Sequence, residues 1–172
     1  MGKSDESGLG KGTVACGCTS LRSSGGDDIF IAKLSSSGSW QWAVKAGGTS
    51  VDDGNGIDVD LNGNAYATGY FGGTATFGST SLVSSGSADI FIAKLSSSGS
   101  WQWAVKAGGT GYDRGFAIDV DSSGNAYATG TFRGTATFGS ISLTSSGYSD
   151  IFMSMLSISD SWTRSFKSGG SA

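Results

Sequence analysis

The feature that most constrains this chain is that it says one thing twice and then a third time with changes. DIFIAKLSSSGSWQWAVKAGGT occupies residues 28–49 and again 89–110, letter for letter, and DIFMSMLSISDSWTRSFKSGGS follows at 150–171. The period is 61 residues, carrying Asp28 onto Asp89 and Asp150, and Trp40 onto Trp101 and Trp162. GTVACGCTSLRSSGG (12–26) lies in the same register under GTATFGSTSLVSSGS (73–87) and GTATFGSISLTSSGY (134–148), and SGLGKG (7–12) falls under TGYFGG (68–73). The chain therefore divides into a degenerate first repeat, 2–62, a second, 63–123, and a third, truncated one, 124–172. Such self-similarity marks solenoids or propellers, in which one unit cannot bury its apolar face alone.

Each unit reads as β-structure throughout. GIDVD (56–60) is a short strand, and the Asn-Gly of LNGN (61–64) is a hairpin turn. NAYATGYF (64–71) is a second strand, and TATFG with STSLVSS (74–85) makes a short hairpin excursion. DIFIAKL (89–95) is a third strand, apolar on both faces at its start, as a strand covered on both sides should be. SWQWAVKA (100–107) is a fourth, whose alternation places Trp101, Trp103 and Val105 on one face. No segment has a helical period. The expected fold class is all-β: propeller blades of four antiparallel strands, about three per chain, the first lacking its innermost strand.

IDVDSSGNAYATG (118–130), with DIFIAKLSSSGSWQWAVKAGG (28–48 and 89–109), resembles the bacterial SBBP-type β-propeller repeat. Such repeats run as G-I-x-V-D-x-x-G-N-x-Y-x-T-G followed by D-x-F-x-A-K-L. The resemblance covers nearly the whole chain and implies a propeller; it carries no catalytic motif. The first repeat departs most, with KSDES (3–7) where NAYAT should stand.

Composition agrees with an ordered β-protein. The chain has 172 residues, enough to bury roughly 70% of its extended surface as one unit. It has 30 Gly, no Pro, five Trp, five Tyr and nine Phe, and only 15% charged residues. Net charge is −3 with no basic run, which argues against nucleic-acid and anionic-membrane partners. No apolar run is long enough to span a bilayer, and MGKSDESG lacks the apolar core of a secretory signal. Cys16 and Cys18, in CGC, are expected to be free thiols. There is no histidine, which removes the usual general base, the Ser-His-Asp triad and most zinc chemistry.

Several residues are candidates for a site. DVDLNGNAY (58–66), echoed as DVDSSGNAY (119–127), offers oxygen ligands at alternate positions, as calcium requires: Asp58, Asp60, Asn62, Asp119 and Asp121. Against this, Tyr66 and Tyr127 stand where a closing carboxylate should be, and Asn62 becomes Ser123. The competing reading makes Asp60 and Asp121 caps of a hairpin turn, with Asn and Gly supplying positive φ. Asp58 and Asp119 lie on the innermost strand and are expected to line a channel; Asp58 with Asp60 on one strand face would be the carboxylate pair of a hydrolase. Trp40, Trp42, Trp101 and Trp103 are either packing between blades or a glycan-stacking row. SGLGKGT (7–13) imitates a phosphate loop but fails its spacing, since Gly12 follows Lys11.

Three repeats fall short of the four to eight blades of ordinary propellers, so a homodimer of about six blades is the expected way to close a ring. The changes Arg164 for Trp103, Ser165 for Ala104 and Asp5 for Tyr66 fit either capped open ends or relaxed packing at a joint between chains. The function expected is that of a non-enzymatic scaffold or binding module, with its channel mouth and its SSSG and GGT loops as contact surfaces and its protein or glycan ligand unnamed. A lectin-like propeller and a carboxylate- or metal-dependent hydrolase are the alternatives.

Overall fold

The computed structural model describes residues 2–3, 12–17, 19–157 and 159–171, with side chains from residue 12 onward. Every regular element among them is a strand, paired antiparallel to its neighbours. The chain opens with β1 (Gly2–Lys3), β2 (Thr13–Cys16), β3 (Thr19–Arg22), β4 (Ile29–Leu34) and β5 (Trp40–Gly48). A complete unit follows: β6 (Asp52–Val59), β7 (Ala65–Phe71), the hairpin β8 (Thr74–Phe77) and β9 (Thr80–Val83), then β10 (Asp89–Leu95) and β11 (Trp101–Gly109). It is repeated as β12 (Arg114–Val120), β13 (Ala126–Phe132), β14 (Thr135–Phe138), β15 (Ile141–Thr144), β16 (Asp150–Leu156) and β17 (Trp162–Ser168).

The four-stranded sheets run β6-β7-β10-β11 and β12-β13-β16-β17, the meander expected from the sequence. The small hairpin does not stay with its own sheet. β8 pairs with β5 of the preceding unit, Gly47 opposite Thr76 and Gly48 opposite Ala75, and β14 pairs with β11 in the same way. Each unit thus extends its predecessor's sheet by two strands, stitching neighbours together through backbone hydrogen bonds. In the first unit β1 takes the place beside β4, with Gly2 opposite Phe30, as Gly69 lies opposite Phe91. The 61-residue register assigns that place to Gly8, so the first repeat departs from the period in its pairing as well as its letters. KSDES, the phosphate-loop imitation up to Lys11, Asp5 and Cys18 lie outside the described side chains.

The cores lie between units. One gathers Ile29, Ile31 and Ala46 of the first unit against Ala65, Ala67, Phe77, Phe91 and Leu95 of the second. The other repeats it 61 residues on, with Ile90, Ile92 and Ala107 against Ala126, Ala128, Phe138, Phe152 and Leu156. Ile90, Phe91, Ile92 and Ala93 are all fully buried, which is why DIFIAKL is apolar without alternation. Each large side chain so covered contributes roughly 1.5–3 kcal/mol. One pair in the first core changes chemistry in the third unit. Ala93 lies opposite Ala104, whereas Ser154 lies opposite Ser165, and the Ser154 hydroxyl donates to Ser165 Oγ at 2.9 Å. Both serines changed together, so neither hydroxyl is left unpaired.

The expected single row of indoles is not formed. In β10–β11 Lys94 faces Trp103 and Leu95 faces Trp101, leaving Gln102 as a bulge. A one-residue bulge turns the next side chain to the other face. Trp101 accordingly packs into the core shared with the first unit, and Trp103 into the core shared with the third. Trp40 and Trp42 straddle an identical bulge.

The SSSG turns show what the third copy lost. Gly38 and Gly99 occupy left-handed backbone at φ 79° and 84°; Asp160 holds the same place at φ 59°. A side chain there costs up to about 1 kcal/mol relative to glycine, Asp tolerating left-handed backbone better than most residues. Asp160→Gly is therefore expected to raise unfolding stability by that amount, read as a higher urea midpoint at unchanged slope.

Candidate functional site

The turn aspartates are fully engaged by their own hairpins. Asp60 Oδ1 accepts from the Asn62 and Asn64 backbone N–H groups at 2.9 Å each, and its Oδ2 accepts from Asn64 Nδ2 at 2.9 Å. Asp121 repeats this with Ser123 and Asn125, and adds a bond from the Tyr127 hydroxyl at 3.2 Å. Burial alone would raise the Asp60 carboxyl, but the bonds from Asn64 and Asn62 and the charge of Lys94 bring it below the usual range. For Asp121 the Asn125 bonds lead, with the same result. In these turns glycine supplies the positive φ, at Gly63 and Gly124, and asparagine does not. Tyr66, in the place of a closing ligand, is buried and stacks edge-on with Trp103 at 6.0 Å. Among the described residues no three Asp, Glu, Cys or His side chains converge as a metal would need. Asp60→Ala and Asp121→Ala are each expected to cost about 1 kcal/mol, measured by urea unfolding in calcium-free buffer.

Asp58 and Asp119 lie on neighbouring first strands, β6 and β12. Asp58 Oδ2 accepts from the Val120 N–H of the next unit at 2.7 Å. Burial pushes its carboxyl up, but the Val120 and Val59 amides and a hydrogen bond with Asp119 hold it below the ordinary value. Asp58 therefore ties one unit to the next and does not form a strand-face pair with Asp60, which sits in the turn beyond β6. The tryptophans bridge units too: Trp42 Nε1 donates to Ser97 O at 3.1 Å and Trp101 Nε1 to Lys45 O at 3.3 Å. Cys16, a free thiol, is buried.

A second set of carboxylates escaped the sequence reading. Asp89 and Asp150 open β10 and β16, and Asp28 immediately precedes β4; each Oδ2 accepts a loop amide and faces a lysine of the adjoining strand, Lys106, Lys167 or Lys45. Asp52 and Asp113 open the next unit's first strand. Asp52 Oδ2 accepts from Gly48 N–H at 2.6 Å and its Oδ1 from Gly72 N–H at 3.1 Å; Asp113 does the same with Gly109 and Arg133. The two sets meet at each junction. A Cβ on Gly108 would lie 2.8 Å from Asp89 Oδ1 and 2.9 Å from Asp113 Oδ2, and Gly47 stands likewise between Asp28 and Asp52. Asp89 and Asp113 are both 0% exposed, and Oδ1 of Asp28, Asp89 and Asp150 is buried with no hydrogen-bond partner. Burial, aided by the negative Asp28 and opposed by the Gly48 and Gly72 amides, pushes Asp52 up to about 6. Burial likewise raises Asp113. The available signal was the recurrence of G-G-T-x-x-D at 47–52 and 108–113.

Among the described residues, large apolar side chains are half-exposed in both end units. Ile151 and Met153, 57% and 49% exposed, occupy the positions of Ile90 and Ile92, which are at 0%. With Phe116 and Phe166 they line an open apolar groove of about 480 Å³. At the other end Leu34 is 49% exposed where Leu95 and Leu156 are at 0%, and Trp40 is 46% exposed beside it.

A family model described as SBBP, a beta-propeller repeat, matches residues 41–70. Residues 41–70 are thus similar to an SBBP β-propeller repeat. The matched stretch spans most of β5, all of β6 and most of β7, and so crosses from one unit to the next. Its SBBP letters have structural tasks: Asp60 closes the turn, and the Thr68 hydroxyl donates to Phe91 O at 2.8 Å in the core. Gly69 packs so closely that a Cβ would meet Asp53 O at 1.9 Å. No curated protein matches the chain.

Proposed function

We propose that the chain is a non-enzymatic β-propeller module of about three blades that completes its ring by binding copies of itself, a homodimer of about six blades being the simplest closure. One observation supports this reading: large apolar side chains are half-exposed in both end units among the described residues, at positions whose equivalents inside the chain are buried against a neighbouring unit. The face of the second unit equivalent to Ile151 and Met153 is covered by the third unit, and the face equivalent to Leu34 and Trp40 is covered by the unit before it. The third unit's end face is therefore shaped for the first unit of another chain. Heterologous contacts of this kind form rings when the rotation closes.

The polar details run the same way. Asn55 Nδ2 donates to Gly115 O of the next unit at 2.9 Å, whereas the equivalent place on the open face is Phe116, an apolar contact residue. Clustered exposed apolar side chains of this kind support an interface. The carboxylates serve turns and junctions, and the chain has no histidine to act as a general base, which supports a binding role over a catalytic one. The reading is tested by co-expressing chains with two different affinity tags. Recovery of both tags on either resin supports it; recovery of the bait alone contradicts it.

A further inference from the structure

The second and third units are close copies, and several of their differences gather in one place. Tyr112, Arg114, Arg133 and Tyr148 of the third unit stand where the second has Val51, Asp53, Gly72 and Ser87, and Tyr70 of the second stands where the third has Thr131. The structure brings these five scattered positions together at the junction. The Arg114 guanidinium lies against two rings that touch each other, 4.9 Å from the Tyr70 centroid and 4.2 Å from that of Tyr112, the two centroids being 5.6 Å apart. The Arg133 guanidinium lies 5.9 Å from Tyr112 and 4.1 Å from Tyr148, which is 74% exposed. The result is a cluster of three tyrosine rings and two guanidinium groups, formed once among the described residues.

Stacking on a ring uses the face of a guanidinium and leaves its N–H edge, the part that reads carboxylate or phosphate. Among the described residues neither guanidinium has a hydrogen-bond acceptor or an ion pair, and Arg114 Nε is buried with no acceptor. The nearby Asp53 carboxylate accepts from the Tyr70 hydroxyl at 3.0 Å. Two cations are thus held by π-faces, their donors unspent, beside an exposed ring.

We propose that this cluster binds the oxyanion, carboxylate or phosphate, of a small ligand, with Arg114 and Arg133 as donors and Tyr148 as an outer wall. The proposal rests on the binding-module reading and names the ligand chemistry for it. The test follows the Arg Nε–H signals by NMR at fixed ionic strength while three probes are added separately: inorganic phosphate, a uronic-acid disaccharide and a neutral disaccharide. A saturable shift of the Arg114 and Arg133 signals with phosphate or the uronate, absent with the neutral sugar, is expected, and the responding arm identifies the source of the oxyanion. Arg133→Gln is expected to weaken that response at least tenfold while leaving the urea midpoint in place. No response to either anion, or an equal response in Arg133→Gln, overturns the proposal. Sedimentation of the same samples reports self-association separately, so loss of the anion response with assembly intact removes this proposal alone.

Discussion

Ile151→Lys combined with Met153→Lys is expected to leave the chain as single 17.3 kDa molecules at concentrations where the parent chain is assembled. Both positions are half-exposed in the isolated chain, so two lysines there are solvated and the fold bears almost no cost. In the assembly both would occupy the fully buried environment that Ile90 and Ile92 have inside the chain. Burying an unpaired ammonium costs several kcal/mol even after relaxation, so self-association should weaken by ~10³-fold or more. Sedimentation velocity reads the change, and the urea midpoint serves as a control on folding. An unchanged sedimentation coefficient would show that the third unit's open face plays no part in assembly.

The second large effect is a stability that falls as the pH rises through about 6. Asp52 holds its proton in the folded chain to about pH 6, against an ordinary aspartate value of 3.8. Folding therefore takes up a proton in that window, and the folded state is favoured most below 3.8. As the pH climbs through 6 that advantage is lost, amounting to about 2–3 kcal/mol for Asp52, with Asp113 adding in the same direction. Asp58, Asp60, Asp121 and Asp150 act oppositely. Their carboxyls lie below the ordinary value, so the stability they add is present above 3.8 and is lost as the pH falls through their lowered values. The two trends place maximum stability near pH 4, with the loss from Asp52 spread between about 4 and 6. Urea titrations across pH 3–8 measure the curve, and Asp52→Asn should flatten its alkaline side. A parent chain that gains stability steadily from pH 4 to 8 would refute the buried-proton account.

Much of the fold was legible because each letter has a local task. Asn-Gly announced the turn at 62–63, DIFIAKL announced a strand covered on both sides, and Asp60 was readable as a turn cap. The tryptophans were misread because their faces depend on the bulge at Gln102, and nothing in an alternating W-x-W shows that a strand skips a residue. The donation of β8–β9 and β14–β15 to the preceding sheet was hidden for a related reason: it is a contact between units, and a single repeat read along its length contains only half of it. The buried aspartates at Gly47 and Gly108 were overlooked because a loop aspartate reads as solvated until the neighbouring unit closes over it. Whether the half-exposed apolar side chains at either end, Leu34 and Trp40 or Ile151 and Met153, meet another copy of the chain is a proposal about a neighbour, which no single repeat contains.

Light scattering over a range of concentrations tests that last point most directly. The account predicts a molar mass that settles at a whole-number multiple of 17.3 kDa, with two chains the simplest closed ring. A mass of 17.3 kDa at every concentration would show that the flanks stay bare and that the chain works as an open arc.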